Sequence, residues 1–209
     1  MLRNYLKTAF RNVWKNKVFS LINILGLSIG LSAAFVIGAM VFYDLSFDKF
    51  HPDGDRIYRV TTAFKSPDGD FYNAGVTVPL AQALVDINME ELETVAPFFT
   101  TYPLHVENQE TGDRFKNPEF VIYTEPSYFK TFEYRWLAGN KESALEEPNM
   151  VVLSEERARK YFPNKELDDI LGKSVMYNDT IPATVSGIVA NFNKRTDIVF
   201  EELCLSIIH

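Results

Sequence analysis

The residue types that most often carry catalysis are few and dispersed in this chain. The three histidines are His51, His105 and His209, and Cys204 is the only cysteine. The sequence contains neither a His-Glu-x-x-His run nor a Gly-x-x-x-x-Gly-Lys-Ser/Thr loop, so it lacks the local motifs of zinc proteases and of P-loop nucleotide hydrolases. We therefore predict that the chain is not an enzyme, with no catalytic residue and no bound cofactor.

Acidic residues around His51 form the only sequence pattern that suggests a metal site. Asp48, Asp53 and Asp55 lie close to this histidine along the chain, but the ligand order of a calcium loop and its closing Glu are missing. Two of these acids belong to a Pro-Asp-Gly-Asp sequence, which occurs twice in this part of the chain and is typical of turns. We interpret the acids as a solvated turn and predict no metal site.

Two other candidates for chemistry carry little weight. Residues Asn178 to Thr180 fit the N-glycosylation pattern, but a single match in a chain of this length is weak evidence. Cys204 has no partner for an internal disulfide, and it lies at the end of an apolar strand-like segment. We predict that it is a small buried core residue.

Charge is divided unevenly along the chain. The first 17 residues contain five Lys and Arg and no acid, and because the whole chain has a net charge of −7, the other 192 residues carry −12. The acidic body disfavours nucleic acid as a partner, since phosphate contacts require clustered Lys and Arg. The basic end favours contact with a membrane surface.

Residues 18–43 predict a transmembrane helix. The 26 residues between Lys17 and Asp44 are all uncharged, and about 20 apolar residues, each rising about 1.5 Å, span a hydrocarbon core of about 30 Å. A cleaved signal peptide is the alternative, but its apolar region usually has only about 7–15 residues. Because positive flanks stay on the cytoplasmic side, we expect a cytoplasmic N-terminus, with residues 44–209 outside the cytoplasm.

Residues 1–17 predict a basic amphipathic helix that lies at the membrane surface. Its five cations are Arg3, Lys7, Arg11, Lys15 and Lys17. The first four are spaced by four residues and share one helical face, while Trp14 is a residue type suited to the membrane interface. The alternative is a short disordered basic tail that only sets the orientation of the span.

Small residues recur every four positions within the predicted span: Gly26, Gly30, Ala34 and Gly38. This spacing opens a groove in which the backbone of a second helix can approach closely, because packing and interhelical hydrogen bonds hold helices together in lipid. Asn23 adds a side-chain amide that needs a polar partner in apolar surroundings. We predict that these five residues form a helix-packing surface; the alternative is a chance pattern in an ordinary anchor.

The remainder of the chain predicts a mixed α+β domain. Residues 56–65 have a strand-like pattern, and the turn after them is expected to form a hairpin with residues 71–78. Helices are predicted from Pro79, near 126–131 and after Ser154, which has the pattern of an N-cap. Further strand-like segments lie at 95–104 and 115–123, and two more follow Gly172. Strands and helices therefore alternate, which is typical of the α+β class.

Several stretches together resemble the beginning of MacB/FtsX-like permeases of ABC transporters, of the type found in Bacteroidetes. They are LKTAFRNVWKNKVFSLINILGLSIGLS, YDLSFDKFHPDGDRIYRV, PSYFKTFEYRWLAGN and VVLSEERARKYFPN, the last followed by LGKSV and ATVSGIV. They cover nearly the whole chain in order. Asn23, Gly26 and Gly30 match the family's Asn-Ile-x-Gly-Leu-x-Ile-Gly stretch.

The resemblance implies a first transmembrane helix followed by a periplasmic core domain of the MacB type. It also implies a dimeric permease in the bacterial inner membrane. A cytoplasmic ABC ATPase subunit would drive movement in the periplasm, with no substrate passing through a membrane channel. No substrate-binding residue can be carried over.

The sequence departs from the family because it ends at His209 without a second span. We expect it to be an N-terminal part or a truncated form whose last strand, ending at Ile207 and Ile208, leaves an apolar sheet edge. The predicted organisation is an interfacial helix (1–17), a transmembrane helix (18–43) and an incomplete periplasmic domain (44–209). The predicted function is to couple a partner's ATP hydrolysis to movement of that domain. The alternative is a single-span membrane-anchored periplasmic sensor or binding module.

Overall fold

The computed structural model describes residues 2–51, 53–192, 194–196 and 199–205. It divides into two compact units, which are Met1–Lys49, called the helical unit below, and Phe50–His209, called the sheet domain. His209 and the predicted strand end at Ile207 and Ile208 lie outside the described residues, as does the side chain of Arg3.

The helical unit consists of two helices, α1 (Leu2–Lys15) and α2 (Lys17–Asp44). Asn16 alone separates them, with φ −114° and ψ 54°. Backbone hydrogen bonds nevertheless continue past it, because the N–H of Asn16 donates to the carbonyl of Asn12 at 3.1 Å and the N–H of Ser20 donates to the carbonyl of Asn16 at 2.9 Å. Helix α2 is long and apolar enough to cross a membrane.

The sheet domain contains eleven strands and four α-helices within the part of the chain that the structure describes. A 3₁₀ turn (Gly54–Arg56) precedes a small hairpin of β1 (Thr62–Phe64) and β2 (Phe71–Asn73). The helices are α3 (Pro79–Ile87), α4 (Ser127–Thr131), α5 (Glu155–Tyr161) and α6 (Leu167–Ile170). The other strands are β3 (Phe98–Thr101), β4 (His105–Asn108), β5 (Arg114–Lys116), β6 (Val121–Thr124), β7 (Trp136–Gly139), β8 (Met150–Ser154), β9 (Ser174–Tyr177), β10 (Ile181–Val189) and β11 (Glu202–Leu205).

Strands β3 to β11 form one mixed sheet in the order β3-β6-β11-β8-β10-β9-β4-β5, with β7 also paired to β10. The pairs β6·β11 and β8·β10 are parallel, and the other pairs are antiparallel. The long strand β10 pairs with β9 through residues 181–184 and with β7 through residues 187–189. The predicted α+β class is confirmed, with one candidate membrane helix followed by a sheet-rich domain.

Side chains that alternate between the two faces of the central strands contribute to two separate apolar cores. On β8, Val151 and Leu153 face one core and Val152 faces the other, as expected where successive side chains point to opposite faces. Helices α5 and α6 cover the first core through residues such as Tyr161 and Ile170, and α4 covers the second through Tyr128 and Phe129. This central sheet is therefore buried on both faces.

Two glycines allow β7 to approach β10 closely. Gly139 has φ +82°, and a Cβ there would lie 2.5 Å from the carbonyl oxygen of Ser186. Gly187 lies directly under the indole ring of Trp136, so any side chain at this position would overlap the ring. Both positions therefore require glycine for steric reasons.

Several local predictions are confirmed. The second Pro-Asp-Gly-Asp turn joins a hairpin in which Phe64 pairs with Phe71, and α3 begins at Pro79. The Ser154 hydroxyl accepts a hydrogen bond from the N–H of Arg157 at 3.2 Å, as an N-cap does. Cys204 is buried on β11.

Other local predictions are wrong. Only Thr62–Phe64 of the predicted strand at 56–65 pairs with another strand, because 54–56 form the 3₁₀ turn. The predicted strand at 115–123 is divided between β5 and β6, which lie far apart in the sheet. The described part of the last strand, β11, is not an edge, since β6 and β8 pair with it on either side.

The segment from 58 to 104 contributes little to either core. Most of its large apolar side chains are exposed on β1, β2, α3, β3 and the connections between them: Tyr58, Val60, Phe64, Phe71, Tyr72, Val76, Val78, Val85, Ile87, Met89, Phe98, Phe99, Tyr102 and Leu104. The densely packed part of the sheet domain instead lies between residues 105 and 205.

Candidate functional site

The small-residue stripe lies along one face of α2. Gly26, Gly30, Ala34 and Gly38 are all within this uninterrupted helix, where residues four apart are neighbours on one side. A Cβ built at any of the three glycines would meet nothing within 4 Å. The stripe is thus exposed, as is nearly every other residue of α2. Asn23 lies on the same helix and is also exposed.

Four of the basic residues predicted to contact the membrane surface are exposed on α1 and at the start of α2: Lys7, Arg11, Lys15 and Lys17. Lys7, Arg11 and Lys15 share one helical face. The Nζ atom of Lys17 lies 5.2 Å from the ring centroid of Trp14, which is a cation–π distance. The structure therefore brings Trp14 together with one of the predicted cations.

An aromatic cluster holds the first residues of the sheet domain. The ring of Phe50 lies 5.2 Å from that of Phe192, and the ring of His51 lies 5.3 Å from that of Phe132. Phe192 in turn lies 5.3 Å from Tyr134. Aromatic pairs at 4.5–7 Å in tilted or edge-on arrangements contribute about 0.5–1.5 kcal/mol each beyond area burial. Phe50 and His51 are therefore attached to the core of the domain that they begin.

This cluster continues into the second core. Tyr128 is buried beside Phe132 at a centroid distance of 4.7 Å, and its hydroxyl lies 3.3 Å from that of Tyr134. Burial raises the pKa of Tyr134 to about 12 and also raises the pKa of Tyr128. Both phenols are therefore neutral at physiological pH, and the cluster is a packing element rather than a charged site.

A buried carboxyl group lies at the centre of the sheet. Glu202 on β11 is 0% exposed. The Tyr161 hydroxyl donates to its Oε1 atom and the Tyr177 hydroxyl donates to its Oε2 atom, each at 2.5 Å. The guanidinium of Arg157 lies 3.4 Å from Oε1 and also pairs with Glu201. Burial raises the pKa of Glu202, while the two hydroxyl donors and Arg157 oppose that effect.

The described residues offer no constellation for catalysis or metal binding. Within them, no three His, Cys, Asp or Glu side chains come together in a way that could hold a metal. A Gly-x-Ser-x-Gly sequence does occur at Gly26 to Gly30. It lies inside α2 rather than at the strand-to-helix turn that exposes a serine nucleophile. This serine therefore does not have the local geometry of a nucleophile elbow.

The family follows from a match that covers most of the chain. The sequence profile of the MacB-like periplasmic core domain matches residues 20–200. The chain belongs to this family. The predicted resemblance to MacB-like ABC transporter permeases is therefore confirmed at the level of the domain family.

Solved structures similar to this chain include periplasmic and extracellular domains of transporters, and one of them exceeds a TM-score of 0.5. A domain described as part of a permease protein from Porphyromonas gingivalis matches with a TM-score of 0.53 and 19% identity, covering 69% of this chain and 60% of that one. The periplasmic region of MacB from Actinobacillus actinomycetemcomitans matches with a TM-score of 0.46 and 18% identity, covering 60% and 54%. The extracellular domain of the noncanonic ABC-type transporter YknZ from Gram-positive bacteria matches with a TM-score of 0.44 and 14% identity, covering 62% of each chain.

The chain thus spans about 60% of the length of the first solved relative. None of the curated proteins matches it significantly. The MacB-like domain and the apolar helix α2 together indicate a membrane protein with an extracytoplasmic domain. The family is a component of transporter permeases.

Sequence reasoning missed two features of this MacB-like chain. The hydrogen-bonded Glu202 was not singled out. Glu202 and Cys204 are two residues apart on one apolar strand and therefore face the same side of the sheet, which indicates a buried polar group. The attachment of Phe50 and His51 was also missed, because it depends on Phe132 and Phe192, which are distant in sequence. Asn178 proved to have a structural role, since its side-chain oxygen accepts the backbone N–H of Leu104 at 2.7 Å.

Proposed function

We propose that this chain is the N-terminal part of an ABC transporter permease subunit that couples ATP hydrolysis by a partner to movement of a periplasmic domain. The partners are a cytoplasmic ABC ATPase subunit and a second permease copy. In this proposal α2 crosses the bacterial inner membrane, the N-terminus is cytoplasmic and residues 44–209 are periplasmic. ATP hydrolysis belongs to the partner.

One observation carries the proposal. Helix α2 ends at Asp44, and only six residues later Phe50 and His51 are packed against rings of the sheet domain. In this proposal a displacement of the C-terminal end of α2 reaches the aromatic cluster through the short connection of residues 45–49. Aromatic side chains packed at close-contact distances resist deformation, because protein interiors are dense.

The open stripe on α2 supplies the other half of the mechanism. In this proposal Asn23, Gly26, Gly30, Ala34 and Gly38 contact a neighbouring helix, so that α2 moves with the bundle instead of rotating freely. Small residues are the usual means by which helices approach closely in lipid. The four-residue spacing of the small residues supports this assignment, because it places them along one side of α2.

The test requires the full chain in its native membranes. We expect affinity purification in mild detergent to recover a nucleotide-hydrolysing partner. We also expect a non-hydrolysable ATP analogue to change hydrogen exchange both at residues 44–51 and in α4. Phe50→Ala should keep the partner but lose the nucleotide-dependent change in α4. Tyr58→Ala is the matched control, because that side chain is 83% exposed.

Recovery of no ATPase, or identical exchange in α4 with and without nucleotide, would contradict the proposal. Loss of the nucleotide response in both variants would show that Phe50 has no specific part in coupling. A normal response in Phe50→Ala would show that the connection acts through other contacts.

A further inference from the structure

Helix α1 presents cationic and apolar side chains together on its exposed surface. Lys7, Arg11 and Lys15 lie on one face, and Phe10 and Val13 lie on another. Residues of a helix are about 100° apart around its axis, which places Trp14 at the boundary between these two faces. The apolar and the cationic faces thus meet along a line that contains an indole ring.

The helices offer these cations no acid as a partner. The first acidic residue of the chain is Asp44, at the far end of α2. With a rise of about 1.5 Å per residue, the backbone of Lys17 and that of Asp44 are about 40 Å apart. This exceeds a Debye length of about 8 Å several times over at physiological ionic strength. The positive charge of α1 is therefore uncompensated within the helical unit.

The apolar face limits what can supply the compensating charge. Phe10 and Trp14 are mostly exposed to solvent, and one residue, Asn16, joins α1 to the candidate membrane helix. A lipid bilayer offers acyl chains for the apolar face and headgroups for the cationic face at the same place. Its anionic lipids complement cations that no acid of these helices neutralises.

From this arrangement we infer that α1 binds anionic phospholipid headgroups in preference to zwitterionic ones, through Lys7, Arg11 and Lys15. The inference rests on the proposed membrane insertion of α2 and adds the class of lipid. Each Lys or Arg near an anionic membrane surface strengthens binding to that surface by about 1 kcal/mol, which corresponds to about fivefold in affinity. We therefore expect at least about fivefold enrichment of anionic lipid around α1.

The experiment places the full chain in nanodiscs that contain zwitterionic phosphatidylcholine and a smaller share of anionic phosphatidylglycerol. In one sample the phosphatidylglycerol carries brominated acyl chains, and in the other an equal amount of the phosphatidylcholine does. Trp14 fluorescence is taken as the difference between the native chain and Trp14→Phe. We expect stronger quenching by the brominated phosphatidylglycerol.

Two charge variants test the assignment to α1. Both remove three cations from exposed positions, so their net charges are identical: Lys7→Gln, Arg11→Gln and Lys15→Gln in α1, and Lys65→Gln, Lys116→Gln and Lys160→Gln in the sheet domain. We expect the first to abolish the difference in quenching between the two lipids, and the second to preserve it. Raising the salt to about 1 M, where the Debye length is about 3 Å, should also reduce the difference.

Equal quenching by the two lipids in the native chain overturns the inference, as does retention of the preference in the α1 variant. A separate reporter, Phe35→Trp in the Trp14→Phe background, distinguishes this failure from failure of the proposed function. If α2 is inserted, this reporter is quenched whichever lipid carries the bromine. If it is quenched by neither, insertion of α2 itself is wrong.

Discussion

Removing the Tyr161 hydroxyl should loosen the centre of the sheet measurably. In Tyr161→Phe the ring remains, and Glu202 Oε1 loses the donor that lies 2.5 Å away. Glu202 and Tyr161 are both 0% exposed, so no solvent is in contact with the side chain to replace the hydroxyl. Leaving a buried acceptor short of a donor costs about 1–3 kcal/mol, and more when it is charged. We expect a loss of about 2–3 kcal/mol.

Cys204 provides an internal assay for this loss. It is the only cysteine of the chain and is buried two residues from Glu202 on β11. A thiol reagent can therefore react with it only when the sheet opens. If opening and closing are faster than labelling, a loss of 2–3 kcal/mol accelerates labelling about 30-fold to 160-fold. Tyr102→Phe is the control, because Tyr102 is 78% exposed.

Equal labelling rates in Tyr161→Phe and Tyr102→Phe would refute this reasoning. They would mean that the short hydrogen bond contributes nothing to closure of the sheet. A slower rate in Tyr161→Phe would show that the hydroxyl is itself a strained or poorly solvated group.

The same carboxyl group gives a pH dependence with a definite sign. Burial raises the pKa of Glu202, so the folded chain holds this proton at pH values where the unfolded chain, with a pKa of about 4.3, releases it. The resulting stabilisation is complete below about pH 4.3 and is lost as the pH rises through the raised value. Glu202→Gln cannot titrate, so the native chain should lose stability relative to this variant over that range. A relative gain would show that the folded carboxyl group is the more acidic one.

Three further predictions concern the helix, the strand contact and the orientation. Gly30→Leu should weaken association of α2 about threefold to thirtyfold in a two-reporter membrane assay, because interhelical packing terms are about 0.6–2 kcal/mol. Leu31→Ile is the control, because this residue lies on another face of the helix, and it should leave association unchanged. Equal association signals from the two variants would indicate that α2 only anchors the chain. Gly187→Ala should destabilise the sheet domain by about 1–3 kcal/mol in denaturant unfolding, because its Cβ overlaps Trp136. Gly75→Ala is the control, because a Cβ at Gly75 has an ordinary contact of 3.5 Å, and it should leave the free energy of unfolding unchanged. An equal loss of stability in Gly75→Ala would contradict the steric explanation. Protease added to spheroplasts should digest the sheet domain, whereas protection of it together with a cytoplasmic control would reverse the proposed orientation.

The sequence was sufficient to predict those features that local physics determines. An uncharged run longer than the bilayer core, a proline at a first helical turn and a serine N-cap each depend on neighbouring residues alone. The helix from Pro79 and the cap at Ser154 are therefore found where they were expected. The α+β class also follows from the alternation of such segments.

Features that depend on distant residues were not predictable in this way. The position of β11 between β6 and β8 is decided by pairing across 50 to 80 residues of chain, and alternation alone does not name a strand's neighbours. For the same reason the apolar pattern could not show that segment 58–104 is exposed. The candidate helix-packing and membrane-surface residues remain predictions, because their partners lie beyond a single chain.

The central position of β11 has a consequence for the order in which the domain is built. Strands β6 and β8 lie on opposite sides of β11, and β11 is made about 50 residues after β8. A growing chain must therefore hold two unfinished ladders, each with unpaired N–H and C=O groups, until residues 202–205 emerge. Such long-range closure is slow and exposes the chain to wrong pairing. We hypothesise that chains arrested before residue 202 lack hydrogen-exchange protection along the edges of β6 and β8 that face β11. Chains extended by the four residues 202–205 should gain protection along both edges together. Protection of either edge in the arrested chain would contradict this hypothesis.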